Sequence, residues 1–261
     1  MQPMSASAEN KSLKPAPGYS GVEVHSGPVH SFLEHASVVV FPIVFGLNLY
    51  WAGSRLYELE LLWLLALAVP PGIVLGDFIS GIVHWAADTY GSEDMRLIGP
   101  SLVKPFRLHH IYPRDICTHG LVETTGNVCI LAVPVLALCL YLMWLKPHSG
   151  WLAFSVVSFS LAAAATVATN QFHKWAHQES PSRFARWLQR KRLVLEPQHH
   201  KRHHTQPFDV NYCITNGWLN PVLNKLKFFR RLEAAIGLFG IETAGAKDAR
   251  QRARDVVSLT F

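Results

Sequence analysis

Histidine is concentrated between Asn170 and His204, where His173, His177, His199, His200, His203 and His204 fall within thirty-five residues. At the chain's overall frequency of 14 in 261, about two would be expected there. Neutral imidazole is the commonest metal ligand among side chains. If the apolar run before Phe172 continues as a helix, His173 and His177 are i and i+4, with Cβ atoms roughly 5–6 Å apart on one face. Two imidazoles so placed can converge on one ion. In the second cluster, His200 shares a helical face with both His203 and His204. A single pair of this kind is commonly a solvated basic loop, but two such clusters in one chain argue for metal ligation.

Positioning these groups falls to the apolar parts of the chain. Nearly half the residues are apolar and only 16% are charged, against about 25% in ordinary soluble domains, a deficit that points to lipid. Four runs stand out: about 36–52, about 59–83 with Pro70-Pro71-Gly72 inside it, about 128–145 and about 150–168. The last two contain no charged residue. A spanning helix needs about 20 predominantly apolar residues, and four such runs are hard to bury in a chain this short without a bilayer. The Pro-Pro-Gly interruption is expected to kink or split the second helix. Cys117, Cys129, Cys139 and Cys213 form no CxxC pair, so neither a disulfide framework nor a cysteine zinc site is indicated.

Lysine and arginine then orient the chain, because cytoplasmic segments carry the excess. Lys11 and Lys14 precede the first run, only Arg55 separates runs one and two, and Arg96, Lys104, Arg107 and Arg114 lie between runs two and three. Lys146 alone separates runs three and four, whereas sixteen basic residues follow the fourth. Both termini and the middle loop are thereby expected on the cytoplasmic face. That side also receives His84, four residues before Asp88 at the exit of the second run, and His109, His110 and His119 of the middle loop. Ten histidines thus gather at one membrane face. Only His148 and the three in the N-terminal segment (His25, His30, His35) are left out. The expected fold is all-α, a multi-pass membrane protein with about four transmembrane helices and a cytoplasmic histidine-rich helical cap. A polar tail over residues 1–35, a membrane-embedded domain over 36–233 and a basic tail over 234–261 complete it.

One zinc takes three or four ligands, so ten histidines with Asp88 exceed one site by enough for two metals. Imidazole-rich sites with open positions suit iron that must bind dioxygen. The segments His84-Trp85-Ala86-Ala87-Asp88-Thr89, Phe106-Arg107-Leu108-His109-His110, Asn170-Gln171-Phe172-His173-Lys174-Trp175-Ala176-His177, His199-His200-Lys201-Arg202-His203-His204 and Tyr212-Cys213-Ile214-Thr215-Asn216-Gly217-Trp218-Leu219-Asn220-Pro221 together resemble the Kua family of membrane lipid desaturases. That family contains the plasmanylethanolamine desaturases, the bacterial CarF-type enzymes and plastid acyl-lipid desaturases. The resemblance runs from about residue 76 to 233.

It implies a di-iron, dioxygen-dependent oxidoreductase that desaturates a phospholipid within the bilayer, with electrons from a donor such as cytochrome b5 or ferredoxin, and no nucleic-acid partner. The expected setting is the inner membrane of a bacterium or the endoplasmic reticulum of a eukaryote. In plasmalogen-forming members a 1-O-alkyl chain becomes a 1-O-alk-1′-enyl chain; in others the chain is acyl. His84, His110, His173, His177, His200, His203 and His204 are the implied catalytic ligands of two irons, with His109, His119, His199 and Asp88 as further ligands. Asn170, Glu123 and Asp77 are expected to orient imidazoles. Two positions depart from the plasmalogen-forming pattern: Gly120 stands where an acidic residue follows the histidine matching His119, and Phe208 stands where a histidine follows the proline matching Pro207.

Other classes fit the residues less well. A metal transporter needs ionisable residues at mid-bilayer, and runs three and four have none. A zinc-dependent membrane hydrolase leaves most of the ten histidines unexplained, and a non-catalytic protein whose clusters store metal is the bland reading. The stretch Ser182 to Leu195 reads as an interfacial helix with Phe184, Trp187 and Leu188 on one face and arginines largely on another. Lys225 to Arg231 reads as a surface helix.

Overall fold

The computed structural model describes residues 27–96 and 98–247. Most of the expected N-terminal tail, with His25, and the basic end from residue 248 onward lie outside the described residues. All described elements are helical. Four are long and apolar enough to cross a membrane: α1 (Pro28–Glu58), α2 (Leu64–Thr89), α4 (Leu121–Leu145) and α5 (Gly150–His177). Between and after them lie the short helices α3 (Lys104–Ile111), α6 (Arg183–Arg190), α7 (Pro197–His203), α8 (Asn220–Lys225) and α9 (Phe228–Gly237).

The long helices outrun the apolar stretches that announce them. α1 starts at Pro28, inside the expected tail, because a proline's fixed φ and missing N–H suit the first helical turn. α4 begins seven residues early at Leu121, where the Glu123 carboxylate accepts the N–H of Gly120, the residue preceding the helix. α5 continues nine residues beyond its apolar run to His177 and so carries the first histidine pair out of the bilayer on a rigid rod. α2 passes through Pro70 and Pro71 as one helix, as helices packed in a membrane bundle can.

α2 packs along α5, and α1 lies against α4 and α5. Close approach of α2 to α5 is set by Gly72-x-x-x-Gly76, a small-residue spacing that lets helix backbones touch. A Cβ on Gly76 would lie 2.6 Å from the Ala165 Cβ, and one on Gly72 would lie 2.7 Å from the Leu161 Cβ and 2.9 Å from the Ser158 carbonyl oxygen. Across the bundle, the buried Asn48 amide donates to the Leu136 carbonyl at 2.9 Å and joins α1 to α4. The outer surfaces are apolar: Leu131 is 73% and Trp151 79% exposed, the inverse of a soluble protein and the mark of lipid-facing sides. Gly76→Val is expected to lower the detergent-solubilised protein's thermal midpoint by several degrees through helix overlap. Gly46→Ala and Gly53→Ala, whose added methyls meet nothing within 4 Å, leave it unchanged in the same melting experiment.

α2 and α5 end, and α4 begins, at the same end of the bundle, and the short helices cap it there. Lys225 to Arg231 is not one surface helix. Lys227 adopts a left-handed conformation with φ 48°, so the chain turns between α8 and α9 and Phe229 is buried against Trp85 and Tyr212. On α6, Phe184 and Trp187 stack with ring centroids 6.2 Å apart and remain outward, while Ala185 and Gln189 face the protein.

Candidate metal centre

Two groups of side chains meet under the cap. His109, His173, His177, His200 and His204 form one; His84, Asp88, His110 and His203 form the other, and within each group the possible ligand atoms lie within 4.8 Å of one another. The groups abut, with ring centroids of His110 and His204 5.2 Å apart and those of His200 and His203 5.8 Å apart. Helical spacing explains the membership. His84 and Asp88 on α2, and His173 and His177 on α5, are i,i+4 pairs that each serve one group. His200 on α7 and His204, the residue that follows α7, turn to the five-histidine group. Neighbouring residues on a helix diverge by about 100°, so His109 and His110 on α3 serve different groups, as do His203 and His204.

In the five-histidine group, the Nε2 atoms of His173, His177 and His200 form a triangle with edges of 3.2, 2.9 and 2.9 Å. His109 Nε2 lies 3.0 Å from that of His177, and His204 Nε2 lies 2.9 Å from that of His200. Each nitrogen either carries a proton or a lone pair, so in a triangle at least one edge joins two of the same kind and is no hydrogen bond. Protonating the rings does not resolve the conflict. Burial, reinforced by the surrounding imidazoles, holds His109 and His200 well below the ordinary imidazole value and lowers His204 as well. A cation does resolve it: at an ordinary metal–nitrogen distance of about 2.1 Å, nitrogens spaced this way subtend near right angles.

The second group makes the same demand through its tautomers. His84 Nδ1 donates to the Tyr212 carbonyl at 3.1 Å and His203 Nδ1 to the Val210 carbonyl at 2.8 Å. Both Nε2 atoms therefore present lone pairs, buried and without a hydrogen-bond partner, to the Asp88 Oδ2 at 3.4 and 3.5 Å. His110 Nε2 is 3.0 Å from the same oxygen. Lone pairs converging on a carboxylate fit a bound cation, and backbone carbonyls holding the far ring nitrogen are how ligating histidines are usually oriented. The Nδ1 atoms of His110, His200 and His204 are buried and meet no partner.

The segment that supplies those carbonyls is itself pinned. Asp77 is fully buried and accepts the N–H groups of Asn216, Gly217 and Leu219 at 3.0–3.1 Å. Ser80 accepts from Ile214, and Asn220 brackets Cys213 through its N–H and carbonyl. Gly81 lets the strap close, since a Cβ there would come within 2.5 Å of Cys213 Sγ.

Five of the expected site residues stand outside both groups. His199 Nε2 accepts from the Asn220 amide at 2.8 Å. His119 lies 3.5 Å from Asp115, and its carbonyl accepts from Lys174. Asn170 donates to the Thr124 carbonyl at 2.6 Å and joins α5 to α4. Glu123 caps α4 at Gly120 and Asp77 holds the strap, so neither orients an imidazole directly. Sequence reasoning passed over the residues that do, Val210 and Tyr212, because they act through carbonyls that no side-chain pattern marks.

Residues 73–245 match the lipid desaturase domain family. The chain belongs to that family. Its lipid desaturase relatives include plasmanylethanolamine desaturase of Myxococcus xanthus, 44% identical over 174 residues that are 67% of this chain and 61% of that protein. Plasmanylethanolamine desaturase 1 of Mus musculus is 38% identical over 187 residues, 68% of this chain and 67% of the mouse protein. Fatty acid desaturase 4, chloroplastic, of Arabidopsis thaliana is 32% identical over 170 residues, 64% of this chain and 50% of the plant protein. The chain thus spans about three fifths of the length of the bacterial relative. No solved structure matches it. The family segment opens inside α2 and takes in every member of both groups, leaving α1 outside.

The lowered histidines give the metal-free protein a pH dependence of definite sign. With folded-state values below the unfolded 6.5, unfolded chains bind protons that folded chains refuse as pH falls below about 6.5, so stability is full above that value and declines beneath it. Each such histidine contributes up to about 1.4 kcal/mol per pH unit. The thermal midpoint of chelator-treated protein is expected to drop between pH 7.5 and 5.5, and to drop less steeply in His200→Gln.

Proposed function

We propose that this protein is a di-iron, dioxygen-dependent membrane lipid desaturase, a plasmanylethanolamine desaturase that introduces the 1′-alkenyl double bond of plasmalogens. The observation that carries the reading is the pair of abutting ligand groups, one all histidine and one with a single carboxylate, at the end of a four-helix membrane bundle. Imidazole-rich sites accept iron, zinc, copper or nickel; the family and a pair of adjoining sites favour two irons. His109, His173, His177, His200 and His204 hold one, and His84, Asp88, His110 and His203 the other. Iron so held supplies the activation of dioxygen and the removal of hydrogen from two adjacent carbons.

The chain's own contribution is placement. α2 and α5 raise ligands from the bilayer surface, and the strap from Val210 to Asn220 fixes the tautomers of His84 and His203. The buried setting excludes water from the reacting carbons. The names of the bacterial and mouse relatives support the ether-lipid substrate over the acyl-lipid alternative, which the plant relative represents. The excess of lysine and arginine at the capped end supports a cytoplasmic site served by a soluble or membrane-bound donor such as cytochrome b5 or ferredoxin. Metal transport would need an ionisable residue at mid-bilayer, and Asp77, in the second run, has both oxygens committed to backbone N–H groups.

The test is expression in a host without vinyl ethers, with lipids extracted and acid-labile aldehydes and double-bond positions compared for wild type and His173→Ala. Vinyl ethers are expected with wild type and absent with the variant. A wild-type profile unchanged under oxygen, with a competent electron donor, overturns the reading.

A further inference from the structure

Beside the Asp88 group lies a cleft of about 290 Å3 whose walls include Asp88 and His110 themselves, together with Arg107, Phe208, Arg230 and Glu233. The volume is at the lower end of small-molecule sites, enough for a lipid headgroup but not for its chains. The wall carries both signs of charge. Arg107 stands one helical turn before His110 and spends its Nη2 on the carbonyls of Gly91 and Tyr90, at 3.1 and 3.4 Å. Among the described residues no carboxylate pairs with it. Glu233 is held from the other side: one oxygen accepts the Trp85 indole N–H at 3.0 Å and the other meets Arg230 at 3.1 Å. Its side chain is only 15% exposed. Phe208 packs against His110 with ring centroids 4.7 Å apart and planes tilted by 53°, and adds an apolar surface to the lining.

We propose that this cleft binds the phosphate and primary ammonium of a zwitterionic phospholipid headgroup, phosphate at Arg107 and ammonium at Glu233, and that its contact with His110 and Asp88 limits oxidation to carbons next to the glycerol. This rests on the reading above that a membrane lipid is the substrate. The N–H groups of Arg107 that those carbonyls leave free, on Nε and Nη1, suit phosphate oxygens, and a primary ammonium donates to a carboxylate where a trimethylammonium has no N–H to give. A site that hydrogen-bonds a group discriminates strongly against the analogue lacking it. Because the headgroup site shares a wall with the ligand group, a bond in mid-chain would lie a long chain segment away from the ligands, whereas the first carbons of the sn-1 chain would lie beside them.

The test uses the full chain in nanodiscs of equimolar dioleoyl phosphatidylethanolamine, phosphatidylcholine and phosphatidylglycerol, with retained lipid measured by native mass spectrometry and metal content and thermal midpoint measured alongside. Wild type is expected to retain phosphatidylethanolamine in preference to phosphatidylcholine. Arg107→Gln is expected to lose about tenfold or more of all retained phospholipid, and Glu233→Gln, which keeps an acceptor for Trp85, to lose the headgroup preference alone. Retention and preference unchanged in both variants, at unchanged metal content and midpoint, overturn the site. If Arg107→Gln does not fold, Arg107→Lys keeps the charge with fewer N–H donors and is expected to weaken retention severalfold; full retention in it overturns the site equally. A separate arm supplies 1-O-alkyl glycerophosphoethanolamine and locates any new double bond. A mid-chain bond overturns the positional claim. Lipid retention that follows Arg107 in a protein that oxidises nothing leaves the headgroup site standing and removes the proposed function, and oxidation without such dependence does the reverse.

Discussion

On the di-iron desaturase reading proposed above, His177→Ala is expected to reduce the bound metal from two equivalents per chain to one and to abolish desaturation. His177 Nε2 contacts the Nε2 atoms of His109, His173 and His200 at 2.9–3.2 Å, so it sits at the centre of its group rather than at the rim. Loss of an orienting partner alone costs metal sites about 10- to 100-fold in affinity, and loss of a ligand at this position is expected to cost at least the upper figure. Removing the ring also removes contacts that cannot all be hydrogen bonds, and His177 is only partly buried, so water can enter the space. The metal-free variant is therefore expected to melt within a few degrees of metal-free wild type. Asp88→Asn is the matching experiment on the other group. It leaves volume unchanged but withdraws the one formal negative charge facing three imidazole nitrogens, and the equivalent it loses is the one His177→Ala keeps. Metal-to-protein ratios by elemental mass spectrometry, on the single variants and the double, decide it. If either single variant emptied both groups, the assignment of separate ligand sets would be wrong.

Much of this arrangement is visible in residue types and spacing. Apolar runs locate the four spans, and i,i+4 pairs at His84/Asp88 and His173/His177 announce that two helices deliver candidate ligands to one end. What spacing does not resolve is the division of adjacent histidines. His109 and His110 are neighbours in the chain, as are His199 and His200, yet the first pair splits between two groups and the second leaves His199 facing Asn220. Each outcome depends on the rotation of a short helix about its axis, which is set by long-range packing. Gly72-x-x-x-Gly76 is the opposite case, a local signal that predicts which helix faces could touch and whose meaning appears only with Ala165 and Leu161 across from it. The same limit applies to Asp77. An ionisable residue within a membrane segment is by default a functional candidate, and its neighbourhood in sequence points to His84. Its partners lie some 140 positions later.

Those partners make Asp77→Ala the second variant with a large expected effect. The substitution leaves the buried backbone N–H groups of Asn216 and Gly217 and the part-buried one of Leu219 without acceptors. Hydrogen bonds to charged groups contribute roughly 1.5–3 kcal/mol each, and unpaired buried donors are costly in their own right. Allowing for partial relaxation of the strap, the loss is expected to be about 3–5 kcal/mol, comparable to breaking a buried ion pair. The damage is directed, because the same strap carries the Tyr212 and Val210 carbonyls that set the tautomers of His84 and His203. His173, His177, His109, His200 and His204 have no hydrogen bond to those carbonyls. Asp77→Ala is therefore expected to lower the thermal midpoint and to lose metal from the Asp88 group first. Asp77→Asn keeps one acceptor oxygen and is expected to fall between it and wild type. A purely global destabilisation would instead release both equivalents together as temperature rises, so metal release followed during a thermal ramp, with Gly76→Val as the comparison, separates a strap that orients ligands from one that only adds stability.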